Sequence, residues 1–408
     1  MRDNIFKYLS TRGLVAQTVF EDELSQALSK EQISFYIGID PTADSLHIGH
    51  FLMLHVAKLL QKAGHKPYLI LGGGTGHVGD PSGRADMRQM MSSDKIASNV
   101  KNFEKQIAKF LSFDGPNGAV FINNADWLLQ LKWIDLLREV GALISVNKML
   151  ATDAYKARWA NGLSFLELNY MVMQAYDFLH LNRKFNVMLQ IGGNDQWSNI
   201  LAGVDLIRRL ERKTANGLTV PLLTKSDGTK MGKTSSGALW LDENKTPVYD
   251  FYQYWINVDD RDVHKLFMLL TELPEEQINK LTNCSGKELV LAKKELAYIL
   301  TKTVHGADKA ELAKMQATAA FAGNDDANMP QKKLQLADKF VSTLLVEAGA
   351  AASKSEARRL ITAGGILLND VKVTDPLEKI PDDMLKTGHF ILHKGKKFHL
   401  KVYVSIKG

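Results

Sequence analysis

Alternation is the feature that most constrains this chain. Short apolar runs at 35–39, 67–71, 119–122 and 186–191 read as strands, and the stretches 50–63, 93–111 and 163–181 between them carry the helical period. Strands that alternate with helices argue for a parallel sheet with helical crossovers, hence an α/β fold. Two of these runs end in glycines, at Gly72-Gly73-Gly74 and at Gly192-Gly193. Glycine directly after a parallel strand marks the carboxyl edge of the sheet, where α/β folds bind ligands.

The remainder of the 408 residues is organised differently. From about 247 to 320 the pattern is helical, notably at 261–270 and 286–305, with no convincing strand. The polar stretch 323–330 ends in Pro330 and reads as part of a linker spanning 323–333. In the last unit, 334–408, Ser353 and Glu356 have capping-box spacing ahead of a helix at 356–363, which Gly364-Gly365 closes. Ile366-Leu367-Leu368, Asn369-Asp370 and Val371-Lys372-Val373 then read as strand, turn and strand.

Composition narrows the class. The chain is 45% apolar and 24% charged, as soluble domains are, and no apolar run approaches the ~20 residues that span a bilayer. The N-terminal stretch lacks the apolar core of a secretory signal, so a cytoplasmic location and no membrane partner are expected. The single cysteine, Cys284, cannot form an internal disulfide or a thiolate zinc cage. The net charge of +6 is compatible with a polyanionic partner. Its excess gathers at the C-terminal end, where Lys386, Lys394, Lys396, Lys397, Lys401 and Lys407 occur with no acidic residue from Met384 onward.

Five segments carry chemistry. In the first, Tyr36-Ile-Gly38-Ile-Asp40-Pro41-Thr42 leads into Ala43-Asp-Ser-Leu-His47-Ile-Gly49-His50, a strand, a turn and an opening helix. A helix N-terminus suits a phosphate, and imidazoles three apart can donate to developing phosphoryl charge. Gly49 leaves room for a flat group against the backbone. A zinc site is disfavoured, because no third ligand has matching spacing. In the second, Thr224–Thr234, Lys230 and Lys233 are paired lysines on a glycine-containing loop, able to neutralise a leaving pyrophosphate. In the third, Tyr170, Gln174 and Asp177 share one face of a largely apolar helix. Such a stripe needs partners, from the protein or from a ligand. The fourth, Gln190-Ile-Gly192-Gly-Asn-Asp195-Gln196, follows a strand, with Asp195 placed for a ribose hydroxyl. The fifth, Gly72 to Arg84, is no P-loop, since Asp80-Pro81 follows Gly79.

Together these segments resemble the class I aminoacyl-tRNA synthetases, the tyrosyl branch above all. The His47 segment is similar to the HIGH motif, and Lys230–Lys233 to the KMSKS loop, with Gly232 and Thr234 where that pattern has serines. The resemblance implies a Rossmann-like catalytic domain over 1–222 with a dimer-forming insertion near 126–160. It further implies a KMSKS-type loop at 223–238, a helical anticodon-arm-binding domain at 239–322 and a small α+β S4-like RNA-binding domain at 334–408. Carried over by position, the phenol of L-tyrosine meets Tyr36 and Asp177, and the ammonium meets Asp80, Tyr170 and Gln174. Gln190 lies near the carboxyl or the ribose. ATP is held by Gly38, Asp40, Gly49, Gly192, Asp195, Gln196, Lys230 and Lys233, with Arg84 a phosphate contact. Thr42, His47, His50, Lys230 and Lys233 serve the transition state. Lys354, Arg358 and Arg359 form a basic face for tRNA(Tyr). The implied reaction forms tyrosyl-adenylate from tyrosine and ATP, with Mg2+ carried by the nucleotide and no tightly bound protein metal, in a homodimer. The rival reading is a non-catalytic RNA-binding or splicing protein on a synthetase scaffold. Intact His47, His50, Lys230 and Lys233 weigh against it.

Overall fold

A computed structural model describes residues 5–82, 91–234, 237–322, 331–395 and 398–406. Arg84 and the linker stretch 323–330 lie outside the described residues, as do Lys396, Lys397 and Lys407.

The chain divides into two units. The first is built on a sheet of β1 (Gln17–Thr18), β2 (Ser34–Ile39), β3 (Lys66–Leu71), β4 (Val120–Asn123), β5 (Val187–Gly193) and β6 (Asn216–Val220). Their order is β1-β6-β5-β2-β3-β4, and only β1 runs antiparallel to its neighbour. The four expected strands are all present within a residue or two of the sequence reading. Strands β1 and β6 were not foreseen. Strand β6 carries Gly217, where a Cβ would collide with Ile200. The order reverses between β2 and β5, so the crevice for a ligand opens at the carboxyl ends of those two strands.

Helices α1 (Ile5–Thr11), α2 (Glu21–Lys30), α3 (Ile48–Lys62) and α4 (Ser93–Ile107) come first. Four short ones, α5 (Ala125–Leu128), α6 (Trp133–Glu139), α7 (Val146–Leu150) and α8 (Asp153–Ala160), fill the expected insertion. Then come α9 (Phe165–Phe185) and α10 (Trp197–Glu211). A reciprocal capping box of Ser164 and Glu167 starts α9, and left-handed Asn186 (φ 51°) ends it. Glu167 also takes a bidentate bond from Arg158, at 3.0 Å to each oxygen, which fastens α8 to the start of α9.

The helices between 239 and 322 are shared between the two units. Helices α11 (Val248–Ile256), α14 (Lys287–His305) and α15 (Ala307–Ala322) belong to the second unit, whereas α12 (Val263–Leu270) and α13 (Glu275–Thr282) belong to the first. Arg12 ties α12 to the N-terminal segment. Its buried guanidinium donates to the carbonyls of Met268 (2.9 Å), Leu273 (2.8 Å), Phe267 and Thr271, and so closes the C-terminus of α12.

The second unit also holds a five-stranded sheet, β9 (Gln331–Leu336), β10 (Ile366–Leu368), β11 (Val371–Val373), β12 (His389–Lys394) and β13 (Phe398–Ile406). Its order is β11-β10-β12-β13-β9. The short hairpin β7 (Lys233–Thr234) and β8 (Gly237–Ala238) stands apart from it, and α16 (Val341–Glu347), α17 (Lys354–Thr362) and α18 (Asp382–Thr387) complete the unit. Strand β9 starts at Gln331, so 331–333 belong to this sheet rather than to a linker. Asn369 and Asp370 turn between β10 and β11 at φ of 44° and 67°, as their identities favour. Among the described residues, no helix is long and apolar enough to cross a membrane.

Candidate active site

A cavity of about 460 Å³ opens at the switch point. Tyr36, Gly38, Asp40, Thr42, His47, Gly49, His50, Asp80, Tyr170, Gln174, Asp177, Asp195, Gln196 and Lys230 all line it, although they come from five separate sequence segments.

One end is walled by the stripe on α9. Asp177 is 3% exposed, and its two oxygens accept from Asn124 Nδ2 (2.9 Å) and Trp127 Nε1 (2.7 Å). Burial pushes its pKa up to about 8, aided by the charge of Asp40 and opposed by those two hydrogen bonds. Tyr36, 1% exposed, has a phenol oxygen with no hydrogen-bond partner among the described residues. Burial, then the proximity of Asp177, raises its pKa far above the ordinary phenol range. An unpaired buried polar atom costs about 1–3 kcal/mol, so this hydroxyl beside a carboxyl favours a ligand that brings a polar group to it.

The middle of the cavity is a connected network. Tyr170 donates to Asp40 at 2.9 Å, and Thr75 donates to the other Asp40 oxygen at 2.8 Å. Gln196 donates to Asp80 at 2.5 Å and accepts from Gln174 at 3.2 Å, while Asn199 donates to both glutamines. The Ser82 amide donates to the second Asp80 oxygen at 2.8 Å. Asp40 and Gln196, expected at the nucleotide, thus also bond Tyr170 in one case and Asp80 and Gln174 in the other.

The opposite end is built from backbone. His47 caps α3: its Nδ1 accepts from the Gly49 amide, and His50 Nδ1 accepts from the His47 amide, both at 3.1 Å. The rings stack with centroids 4.0 Å apart. A neutral imidazole whose Nδ1 accepts must carry its proton on Nε2, so each ring has one N–H left to donate. Burial lowers both pKa values, and the neighbouring His47 lowers that of His50 further, which keeps both rings neutral at pH 7. Gly49 has a second reason to be glycine, since a Cβ there would press within 3.1 Å of the His47 ring.

The lysine loop is closed at its neck. The Met231 amide donates to Leu223 at 2.8 Å and the Leu239 amide to Gly232 at 2.7 Å, and Leu223, Lys230 and Met231 line the cavity. Gly232 stands at φ +83°, where a Cβ would strike Ile48, so glycine replaces the expected serine for a steric reason. Lys233 begins β7, and its side chain lies outside the described residues. Gln190 and Gly192 stand on β5 outside the lining set, where Gly193 takes the expected place of Gly192. The Gln190 side-chain oxygen is buried without a partner. Asn124, Trp127 and Thr75 were not foreseen. The adjacent Asn123-Asn124 at the end of β4 was the available signal for the first of them.

In the C-terminal sheet unit, Arg358 and Arg359 are exposed beside a shallow concavity on α17. Lys354, which is exposed on the same helix, pairs with Asp338 at 3.3 Å.

Comparison with known proteins agrees with this geometry. A family profile described as tRNA synthetases class I (W and Y) matches residues 28–322, and one described as a tyrosine–tRNA ligase SYY-like C-terminal domain matches 323–402. The tyrosine–tRNA ligase of Malacoplasma penetrans (strain HF-2) is 51% identical, with 98% of this chain and 99% of that protein covered. That of Clostridium botulinum (strain Hall) is also 51% identical, with 98% and 100% covered. A C-terminally truncated mitochondrial tyrosyl-tRNA synthetase of Aspergillus nidulans superposes with a TM-score of 0.70 at 29% identity, over 78% of this chain and 94% of that one. The tyrosine-bound tyrosyl-tRNA synthetase of Archaeoglobus fulgidus shares the fold, with a TM-score of 0.58 at 19% identity over 75% and 99% of the two chains. With its catalytic and C-terminal regions both accounted for, the chain belongs to the tyrosyl branch of the class I aminoacyl-tRNA synthetases.

Proposed function

We propose that this chain activates L-tyrosine with ATP and transfers the tyrosyl group to the 3'-terminal adenosine of tRNA(Tyr). The observation that carries this reading is the unpartnered Tyr36 hydroxyl beside buried Asp177. A phenol hydroxyl fits there, whereas the phenylalanine ring would leave the Tyr36 hydroxyl unpaired and give Asp177 nothing beyond its bonds to Asn124 and Trp127. The ammonium then meets Asp80, Tyr170 and Gln174, and Asp195 holds the ribose. Gln190 lies near the carboxyl or ribose from its place on β5. Gly38 and Thr42 flank the nucleotide, with Gly49 under the adenine.

The tyrosine carboxylate oxygen attacks the α-phosphorus of ATP. The bond from that phosphorus to the bridging oxygen of the β-phosphate breaks, and pyrophosphate leaves. His47 and His50 donate from Nε2 to the phosphoryl oxygens, while Lys230 and Lys233 neutralise the leaving group. Mg2+ travels on the phosphates of ATP, its usual seat, and adds charge neutralisation there. No protein group becomes covalently attached, so catalysis is positioning and charge stabilisation. The ribose hydroxyl of the terminal adenosine then attacks the tyrosyl carbonyl, and AMP leaves.

Two partner readings accompany this one. A second copy of the chain docks on the apolar surface of the insertion and the start of α9, where Leu129, Ile134, Trp159 and Phe165 are each more than 60% exposed. The C-terminal unit grips tRNA through Arg358 and Arg359.

Amino-acid-dependent ATP–pyrophosphate exchange with tyrosine, phenylalanine and tryptophan tests the reading. Exchange with tyrosine alone is expected. Exchange with another amino acid keeps the class and discards the Tyr36–Asp177 assignment, and none at all from folded protein favours the RNA-binding scaffold. A chain that stops before Gly323 should keep exchange and lose tRNA charging. Equal charging would remove the tail from the account.

A further inference from the structure

Helix α4 carries a stripe that the proposed mechanism has not used. Asn99, Phe103 and Gln106 recur at i, i+4 and i+7, on one face. All three are buried, Asn99 completely. Burying an amide is costly unless it is hydrogen-bonded; the Asn99 amide nitrogen and the Gln106 side-chain oxygen find partners outside their own helix, while Asn99 Oδ1 has none among the described residues. Asn99 Nδ2 donates to the Pro41 carbonyl at 2.8 Å. Gln106 Oε1 accepts from the Leu46 amide at 3.0 Å and from the Ser45 hydroxyl at 3.2 Å. Between them, the Phe103 ring lies 6.0 Å from the ring of His50.

The targets are specific. Pro41 immediately precedes Thr42, and Leu46 immediately precedes His47. Each amide therefore grips the backbone one residue before a group at the phosphate end of the cavity. Other contacts share the hold on the connection from β2 to α3: Tyr170 and Thr75 bond Asp40, Lys245 pairs with Asp44 at 2.5 Å, and the His47 amide donates to His50. Pro41 has no amide proton, and the one short-range backbone bond within that connection runs from the Thr42 amide to the Asp40 carbonyl at 2.8 Å. From the other side, the Leu241 amide bonds the Leu46 carbonyl at 2.9 Å.

We infer that Asn99 and Gln106 are positioning residues that clamp segment 41–47 against α4, so that Thr42 and His47 face the phosphates of ATP. They touch no substrate and act through the backbone that they hold. A misplacement of about 1 Å at a reacting centre costs about a hundredfold in rate, so loosening this clamp lowers turnover while leaving the amino-acid end intact.

The test rests on the proposed tyrosine activation, because it reads tyrosine-dependent exchange. Asn99→Asp keeps the size of the side chain and removes the donor. Gln106→Met keeps the length and removes the acceptor, whereas Gln106→Glu retains an acceptor oxygen. In the full chain, Asn99→Asp and Gln106→Met should each lower kcat by about tenfold to a hundredfold, with the tyrosine KM within about twofold of wild type. Gln106→Glu should recover most of the loss seen in Gln106→Met. Tyrosine binding by equilibrium dialysis without ATP reports folding of each variant. If Asn99→Asp fails to bind tyrosine, the two Gln106 variants decide. Unchanged kcat in Asn99→Asp, equal losses in both Gln106 variants, or a tyrosine KM that rises with the fall in kcat would overturn the clamp. Absence of exchange in the wild-type chain strikes the functional reading instead, and wild-type exchange with undisturbed variants strikes the clamp alone.

Discussion

At one end of the cavity, side chains do the recognising; at the other, backbone does the placing. The α9 end offers Asp177, Tyr36, Tyr170 and Gln174, with partners such as Asn124, Trp127 and Asn199 arranged around them. Among the described residues, its Tyr36 hydroxyl has no partner. The α3 end offers two histidines whose ring orientation is fixed by amides of their own helix turn, and a glycine that gives the ring its space. Selection among similar amino acids requires directional groups that only one ligand can satisfy. Stabilising charge on a phosphate requires donors that do not reorganise, and a capped helix start provides them.

The largest effect should come from the backbone-built end. His47→Ala or His50→Ala should lower kcat for exchange by about a hundredfold to a thousandfold, with tyrosine binding nearly unchanged. A comparable loss of tyrosine affinity, measured by equilibrium dialysis, would merge the two ends. Next in size is the support of Asp177. Trp127→Phe removes one of its two donors and should raise the tyrosine KM about tenfold while leaving the ATP KM alone.

A smaller effect concerns pH. Asp177 titrates near 8 in the folded protein, against the ordinary carboxyl range when unfolded. Between those values the native state holds a proton that the unfolded chain has released. Stability without substrate therefore falls as pH rises from about 4 to about 8, and this contribution levels off above. Asp177→Asn should make the decline of the melting temperature over that interval shallower than in wild type. Parallel slopes would show that Asp177 is ionised in the folded protein throughout. The smallest effect on the cavity should follow Ile134→Asp on the exposed insertion surface, with sedimentation velocity showing a shift toward monomer. A dimer that persists would move the interface elsewhere.

Much of this was legible in the sequence, for physical reasons. The stripe of Tyr170, Gln174 and Asp177 stood out because polar groups at helical period interrupt an apolar helix. The strands β2, β3 and β5 stood out as apolar runs, two of them ending in glycine. Asn99 and Gln106 did not stand out, because in a helix as amphipathic as α4 a buried amide looks like a solvated one until its partners are known. Trp127 and Asn124 reach Asp177 across 50 and 53 residues of chain, a pairing that only the sheet order creates. The place of α12 in the first unit was hidden for the same reason. Arg12, more than 250 residues away, ties α12 to the N-terminal segment.

The division of labour between the two ends is tested most directly by the ratio of kcat/KM for tyrosine to that for phenylalanine, from exchange, in wild type, Asp177→Asn and His47→Ala. The ratio should collapse in Asp177→Asn and stay at its wild-type value in His47→Ala, where both substrates slow equally. A ratio preserved in Asp177→Asn, or one that falls in His47→Ala, would contradict the account.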